Sequence, residues 1–247
     1  ALRHIVARFA DPSVGAVSGD VALVGERAAL ARSEDLYYLY ERWIQNAESE
    51  LGSMIGADGA LYAIRRPLFV APAGDTILDD MAIPMSVVRA GYRVVYEPLA
   101  HAHEQGSETA REEFARKTRV VAGAVQFLSR HDSSVPLGSP QVMFSLISHK
   151  ALRWLSPAFA TSALVTSLFL VGESTIYTAA ASAQVGLVCL GLAGCMPTVR
   201  KYGIVALAHY FCLVQAAAAV GFVRGLSGRQ SVRWRRFIRM PVKQSEA

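Results

Sequence analysis

The chain has 247 residues, 52% of them hydrophobic and 18% charged, with a formal net charge of +5 and a mean hydropathy of +0.28. That balance is too apolar for an ordinary water-soluble domain and too charged for a bundle of membrane helices alone. The averages hide a division: 18 of the 20 acidic residues lie at or before Asp132, and only Glu173 and Glu246 follow, so a polar unit followed by a membrane-embedded one is expected.

The stripe Leu2, Ile5, Val6 and Phe9 gives a helix over 1–10, closed at Asp11-Pro12 because the residue before proline is pushed out of the helical region. No signal-peptide pattern precedes it, so the chain is expected to open inside a domain, as a C-terminal fragment would. The small and β-branched run 14–24 predicts a strand with a glycine bend. A helix is expected over 28–50, with Leu36, Leu39, Tyr40, Trp43 and Ile44 on the face packed onto a sheet.

Residues 52–67 form a glycine-punctuated loop leading into a strand, with Asp58 between Gly56 and Gly59. Glycines allow a ligand or another backbone close approach, and a turn capped by Asp58 explains the same pattern. Asp79-Asp80 then opens a helix over 81–90, stopped by Gly91 and followed by a strand over 92–96 that ends at Pro98. Helix, glycine stop and strand in that order indicate an α/β layer. One acid of the pair is expected as an N-cap, and the second exceeds what a cap needs. His101, His103 and Glu104 fall in the loop beyond, as metal or donor contacts or as ordinary surface polarity.

Over 109–128, Phe114, Val121, Val125 and Leu128 define the buried face of a helix, and Arg116 and Arg119 share another face that Gly123 extends without bulk. Two guanidiniums over a small residue suit a diphosphate; a solvated basic face is the plainer alternative. A carboxylate able to take a proton, followed by fixed positive charge, is what transfer of a group from a phosphorylated donor requires.

The stretch 131–140 has linker composition. An amphipathic helix follows, with Gln141, Ser145, His149 and Arg153 on its polar side and Met143, Leu146, Ile147 and Trp154 opposite, suited to lying in a membrane interface. Apolar segments 155–172, 174–196 and 203–223 each approach the ~20 residues that span ~30 Å of hydrocarbon. Cys189, Cys195 and Cys212 lie within them without Cys-x-x-Cys spacing, which suggests buried apolar side chains and neither disulfides nor zinc. The tail carries Arg229, Arg233, Arg235, Arg236, Arg239 and Lys243 with Trp234 as an interface anchor, and abuts an apolar span, so anionic lipid and not nucleic acid is its expected partner. The tail and the Arg200-Lys201 loop both favour the cytoplasm. Three crossings cannot keep the tail on the side of the polar unit: one segment is re-entrant, or the tail breaks the rule.

Leu78-Asp79-Asp80 resembles the Thr-Glu-Asp motif, and Arg116-x-x-Arg119-Val120 the Gln/Arg-x-x-Arg-Trp motif, of membrane-bound family 2 glycosyltransferases, the group of cellulose, hyaluronan and poly-N-acetylglucosamine synthases. The order of the glycine loop, interfacial helix and apolar segments matches as well. The resemblance implies an α/β fold: the C-terminal part of a GT-A domain over 1–132, a linker and interfacial helix over 133–154, an all-α transmembrane bundle over 155–223 and a basic tail over 224–247. It implies Asp80 as general base with Asp79 in the preceding acidic place. Arg116 and Arg119 would hold the donor diphosphate, and Gly56, Asp58 and Gly59 would wall the acceptor site.

The implied activity is inverting transfer from a nucleotide-sugar donor to a growing polysaccharide, by an integral protein of the plasma membrane whose catalytic domain is cytoplasmic. Single addition to a lipid acceptor, and a non-catalytic membrane scaffold subunit, are the alternatives. Val120 stands where the polymer synthases carry tryptophan. The family's Asp-x-Asp motif, which binds Mg or Mn, occurs nowhere in the sequence. The divalent cation is therefore expected on residues upstream of Ala1, no metal ligand is assigned here, and the chain alone is expected to be inactive.

Overall fold

A computed structural model describes residues 1–24, 30–107, 109–130 and 139–233, with the side chains of 23–24 and 30–37 outside that description. The linker residues 131–138, Trp234 and the tail beyond it, and the side chain of Leu36, fall outside it too.

Among the described residues a mixed three-stranded sheet has the order β2-β1-β3. Its central strand β1 (Val14–Val24) runs antiparallel to β2 (Tyr62–Ile64) and parallel to β3 (Arg93–Gln105). Burial on both faces explains the apolar run of β1. On one side α1 (Leu2–Arg8) seals Val14, Val17, Val95 and Ala100 with Ile5. On the other, α3 (Asp79–Arg89) and α4 (Ala110–Ser129) contribute Met81, Met85, Val88, Val121 and Val125 to the larger core. The Thr109 hydroxyl caps α4 by accepting from Glu112 N at 3.1 Å.

Strand β3 continues past Pro98, so His101, His103 and Glu104 lie on a strand and not in the expected loop. The pairing jumps from Gly19 with Glu97 to Asp20 with His101, a bulge that takes up Pro98-Leu99-Ala100 without asking proline for a ladder donor.

Helix α2 (Leu30–Leu51) packs in the opposite sense to expectation. Tyr40 and Trp43 are 55% and 68% exposed, while Glu41, Glu48 and Ser49 are buried. Its inner face is polar because it meets basic partners on the helix that follows the linker.

That helix is continuous but changes pitch: α5 (Pro140–Ser145), a π-helical stretch (Leu146–Ala151) and α6 (Leu152–Phe169). Its polar side does not face water as expected. Ser145 and His149 are buried against the lobe, and Phe144, Ile147 and Leu152 are exposed.

Of the three apolar segments, α7 (Thr175–Ala193) and α9 (Gly203–Leu226), joined through the short α8 (Pro197–Arg200), are long and apolar enough to cross a membrane. Helix α6, which carries Arg153, Pro157 and several serines and threonines, is not apolar enough to qualify, and Arg153 and Trp154 tie its first turn to the lobe. Cys189 and Cys195 are exposed on and after α7, contrary to their expected burial. Helix α9 lies alongside α4 in the same direction. A Cβ on Gly221 would stand 2.6 Å from the Thr118 carbonyl oxygen, and one on Gly225 would stand 2.6 Å from Val125 Cβ. The two backbones therefore approach as closely as only glycine permits.

Candidate active site

Neither acid of the Asp79-Asp80 pair is the N-cap of α3. That position is Leu78, which offers no side-chain cap, and both carboxylates occupy the first helical turn. The helix N-terminus favours their charge there. Asp79 is exposed and Asp80 half-buried. Burial, then the charges of Asp79 and Asp58, push the Asp80 carboxyl up to about 6, while Lys150 and the Met81 N–H work against the rise.

The glycine loop is folded directly onto Asp80. Ala57 N–H donates to the Asp80 carbonyl oxygen at 2.9 Å. A Cβ on Gly56 would lie 3.6 Å from that oxygen, and one on Gly59 would lie 3.3 Å from Asp80 Oδ2. Asp58 accepts from Ala60 N at 3.3 Å, the turn that spacing suggested, and its own N–H donates to Ser18 Oγ at 2.9 Å. Burial raises the Asp58 carboxyl, the Ala60 N–H lowers it, and Glu104 and Arg116 pull it in opposite directions.

The arginines diverge. Arg116 is held by both carboxylate oxygens of Glu113, at 2.9 and 3.0 Å, and donates to Tyr38 Oη at 2.8 Å. Burial works against its charge, yet Glu113 and Tyr38 lift its pKa above the ordinary arginine value. Arg119 donates to the Ile77 carbonyl at 3.0 Å and to those of Ser231 and Val232 at 3.0 and 2.8 Å. Burial lowers its pKa, and the charges of Asp79 and Asp80 oppose that. Gly123 does not open a ligand surface between them: a Cβ there would stand 2.6 Å from Leu78 Cγ and 2.8 Å from Ile77 Cγ2. Its missing side chain seats the Ile77-Leu78 segment that delivers Asp79 and Asp80.

The structure thus sets Gly56, Asp58, Gly59 and Asp79 around Asp80, with the charge of Arg119 acting on the acid pair, and commits Arg116 to Glu113 and Tyr38. Sequence reasoning missed Glu113, although its spacing of three and four residues from Arg116 and Lys117 was a signal. It also missed Asp20, which accepts from Tyr96 Oη at 2.8 Å and pairs with Arg42 and His101. A third miss is the buried cluster in which His149 ring nitrogens sit 2.7 Å from Glu48 Oε1 and 3.1 Å from Glu41 Oε2, with Arg153 pairing Glu41. No local pattern connects residues about a hundred positions apart.

A cavity of about 120 Å³ lies beside Asp80, walled by Gly56, Val120, His149, Lys150 and Trp154 among others. A larger groove of about 550 Å³, lined by Val70, Met85, Arg89, Phe127 and Arg130, touches another face of α3 and contains none of these candidates. The smaller one is the candidate site, because Glu48, Asp80, His149, Lys150 and Arg153 all line it. Among the described residues no three His, Cys, Asp or Glu side chains converge to hold a metal ion. These residues by themselves do not form a divalent-cation site.

A mixed sheet flanked by helices and continued by apolar helices is a fold found among glycosyltransferases. The chain resembles the solved mannosyltransferase PcManGT from Pyrobaculum calidifontis, in complex with GDP-Man and Mn2+, with a TM-score of 0.58 and 22% identity over 93% of this chain. It spans 58% of that protein's length, and at this identity the likeness is one of fold. No family model matches the sequence, and no curated protein matches it.

Proposed function

We propose that the chain is the acceptor-side part of an inverting, family 2-like glycosyltransferase with a GT-A lobe, moving a sugar from a nucleotide-sugar donor to a growing polysaccharide at a membrane. The observation that supports this most is the Asp80 carboxylate, raised to about 6, set between a glycine loop and a cavity with the Arg119 charge close by. A sugar hydroxyl is a poor nucleophile at neutral pH. Its proton passes to the Asp80 carboxylate as its oxygen attacks the anomeric carbon. The bond from that carbon to the diphosphate oxygen breaks, and the nucleoside diphosphate leaves with the bonding electrons. Attack opposite the leaving group inverts the centre.

In this reading Arg116, oriented by Glu113, and Arg119 stabilise the leaving charge. Gly56, Asp58 and Gly59 border the acceptor, and Asp79 helps to keep Asp80 basic. Helices α7 and α9 bring the chain to the plasma membrane, with the lobe on the cytoplasmic side and α9 held along α4 of that lobe.

Single addition to a lipid acceptor is the second reading, favoured by the small size of the cavity and by aliphatic Val120 in its wall. Polymer ladders or one-sugar glycolipids among the products distinguish the two. Full-length Asp80→Asn in detergent should release nucleoside diphosphate about a thousandfold more slowly than the parent, the middle of the span general-base catalysis supplies. An unchanged rate would remove Asp80 from the chemistry.

A further inference from the structure

His149 lies with a carboxylate against each of its ring nitrogens: Nδ1 is 2.7 Å from Glu48 Oε1, and Nε2 is 3.1 Å from Glu41 Oε2. All three side chains are buried, and Arg153, on the same helix as His149, pairs with Glu41. We propose that His149 shares one extra proton with Glu41 and Glu48 and acts as a positioning residue for the transfer, seating the π-helical stretch on α2 so that Lys150 stays beside Asp80. The step to Asp80 rests on the transferase reading above; the shared proton does not.

The hydrogens can be counted gap by gap. A carboxylate oxygen only accepts, so each of the two contacts needs a hydrogen between its atoms, and a neutral imidazole brings one. Without a further proton, one gap would set a nitrogen lone pair against an oxygen lone pair. Burial lowers the affinity of the ring itself for a proton, the hydrogen bond to Glu48 raises it, and Lys150 lowers it again. Where the ring declines the proton a flanking carboxylate takes it, so the titration belongs to the cluster. Charge leads to the same count: with the proton, Glu41, Glu48, His149 and Arg153 sum to zero, and without it a buried negative charge is left uncompensated.

The cluster reaches the chemistry through its neighbours. Glu48, His149, Lys150, Arg153 and Trp154 wall the same cavity as Asp80. The Lys150 charge works against the rise of the Asp80 carboxyl and so favours the ionised base. The charged groups around His149 are thus Glu41 and Glu48 of α2, Lys150 and Arg153 of its own helix, and Asp80 of α3 across the cavity. Loss of the proton as pH rises loosens the π-helical stretch from α2 and draws Lys150 away from Asp80. Turnover then has an alkaline limb, which Asp80 alone cannot produce because a base stays active once ionised.

The test is hydrogen exchange with peptide resolution on the full-length protein in detergent, corrected for the intrinsic pH dependence of exchange. Between about pH 6 and about pH 9, protection over 140–154 should fall at least about tenfold, while α4 over 110–129 stays protected. Nucleoside diphosphate release should decline over the same range. Glu48→Gln keeps the shape and removes the need for the proton, since its amide donates into one gap and the imidazole N–H fills the other. In that variant protection should persist and the alkaline limb should move up by at least about one pH unit. Protection in the parent that does not change with pH overturns the proposal, as does an alkaline limb that Glu48→Gln leaves in place; if the variant does not fold, the parent's exchange decides alone. Release of nucleoside diphosphate with pH-independent protection removes this inference and keeps the transferase reading. The expected exchange without any release does the opposite.

Discussion

Gly59 stands where any side chain would press on Asp80: a Cβ added there would lie 3.3 Å from Oδ2 and 3.4 Å from Cβ of the aspartate. The loop and the carboxylate are therefore fitted to each other. Gly59→Ala should displace the carboxylate by a few tenths of an ångström and lower turnover about tenfold, since small misplacements of a reacting group are costly. Thermal unfolding should move little, which separates lost alignment from lost fold.

Activity should rise with pH through about 6, because the proposed base works only when ionised and its carboxyl is raised to that value. The stability effect has the opposite sign. A carboxyl raised in the folded state favours folding below its unfolded value near 4 and loses that contribution as pH climbs through about 6. Asp80→Asn should therefore be more stable than the parent at pH 7.5 by about 1–2 kcal/mol, discounted for partial exposure, and equal to it near pH 4. Paired pH–rate and pH–melting profiles check both signs.

The clamp between α2 and the π-helical stretch is a buried ionic cluster, and removing one member strands the others. His149→Leu leaves Glu48 without its partner at 2.7 Å and should cost about 3 kcal/mol, or roughly 6–12 °C of melting temperature. Adding Glu48→Leu should recover part of that loss, a coupling that a double-mutant cycle measures.

Gly221→Val should wedge α9 away from α4, because its Cβ would meet a backbone oxygen at 2.6 Å, and backbone cannot swing aside. A loss of about 1–3 kcal/mol is expected from overpacking. Limited proteolysis should show α4 becoming accessible in the variant while α7 is cut as before.

Arg119→Lys should fail to replace the parent residue. The guanidinium reaches the Ile77, Ser231 and Val232 carbonyls at once, and an ammonium has no planar fork to match. Donor affinity should fall about tenfold or more, read by equilibrium binding of the nucleotide sugar.

Local order was legible in the sequence where one period or one stop signal decides it. Val14–Val24 follows from its small and β-branched run, the helix closed by Gly91 from its glycine stop, and α4 from its apolar stripe. The glycine loop also reads correctly as a place of close approach, although its neighbour turned out to be Asp80 itself. What failed was the direction in which faces point. The aromatic stripe of α2 and the polar side of the interfacial helix both carry the right residues for amphipathic helices. Which face turns inward depends on Glu41 and Glu48 finding His149 and Arg153, and no window of 18 residues contains both partners. The arginines part for a related reason: sharing a helix face leaves long side chains free to reach opposite ways, Arg116 to Tyr38 and Arg119 to Ser231.

The stretch Leu146–Ala151 is wound more loosely than the helix on either side of it. Removing a single residue there would return it to ordinary pitch and keep Trp154 in the wall beside Asp80, because a π turn holds one residue more than an α turn over the same rotation. Losing a residue from the α-helical turns on either side would instead swing everything downstream by about 100°. The wide turn is thus the one stretch of this helix where chain length can change without changing which side chain meets an incoming molecule.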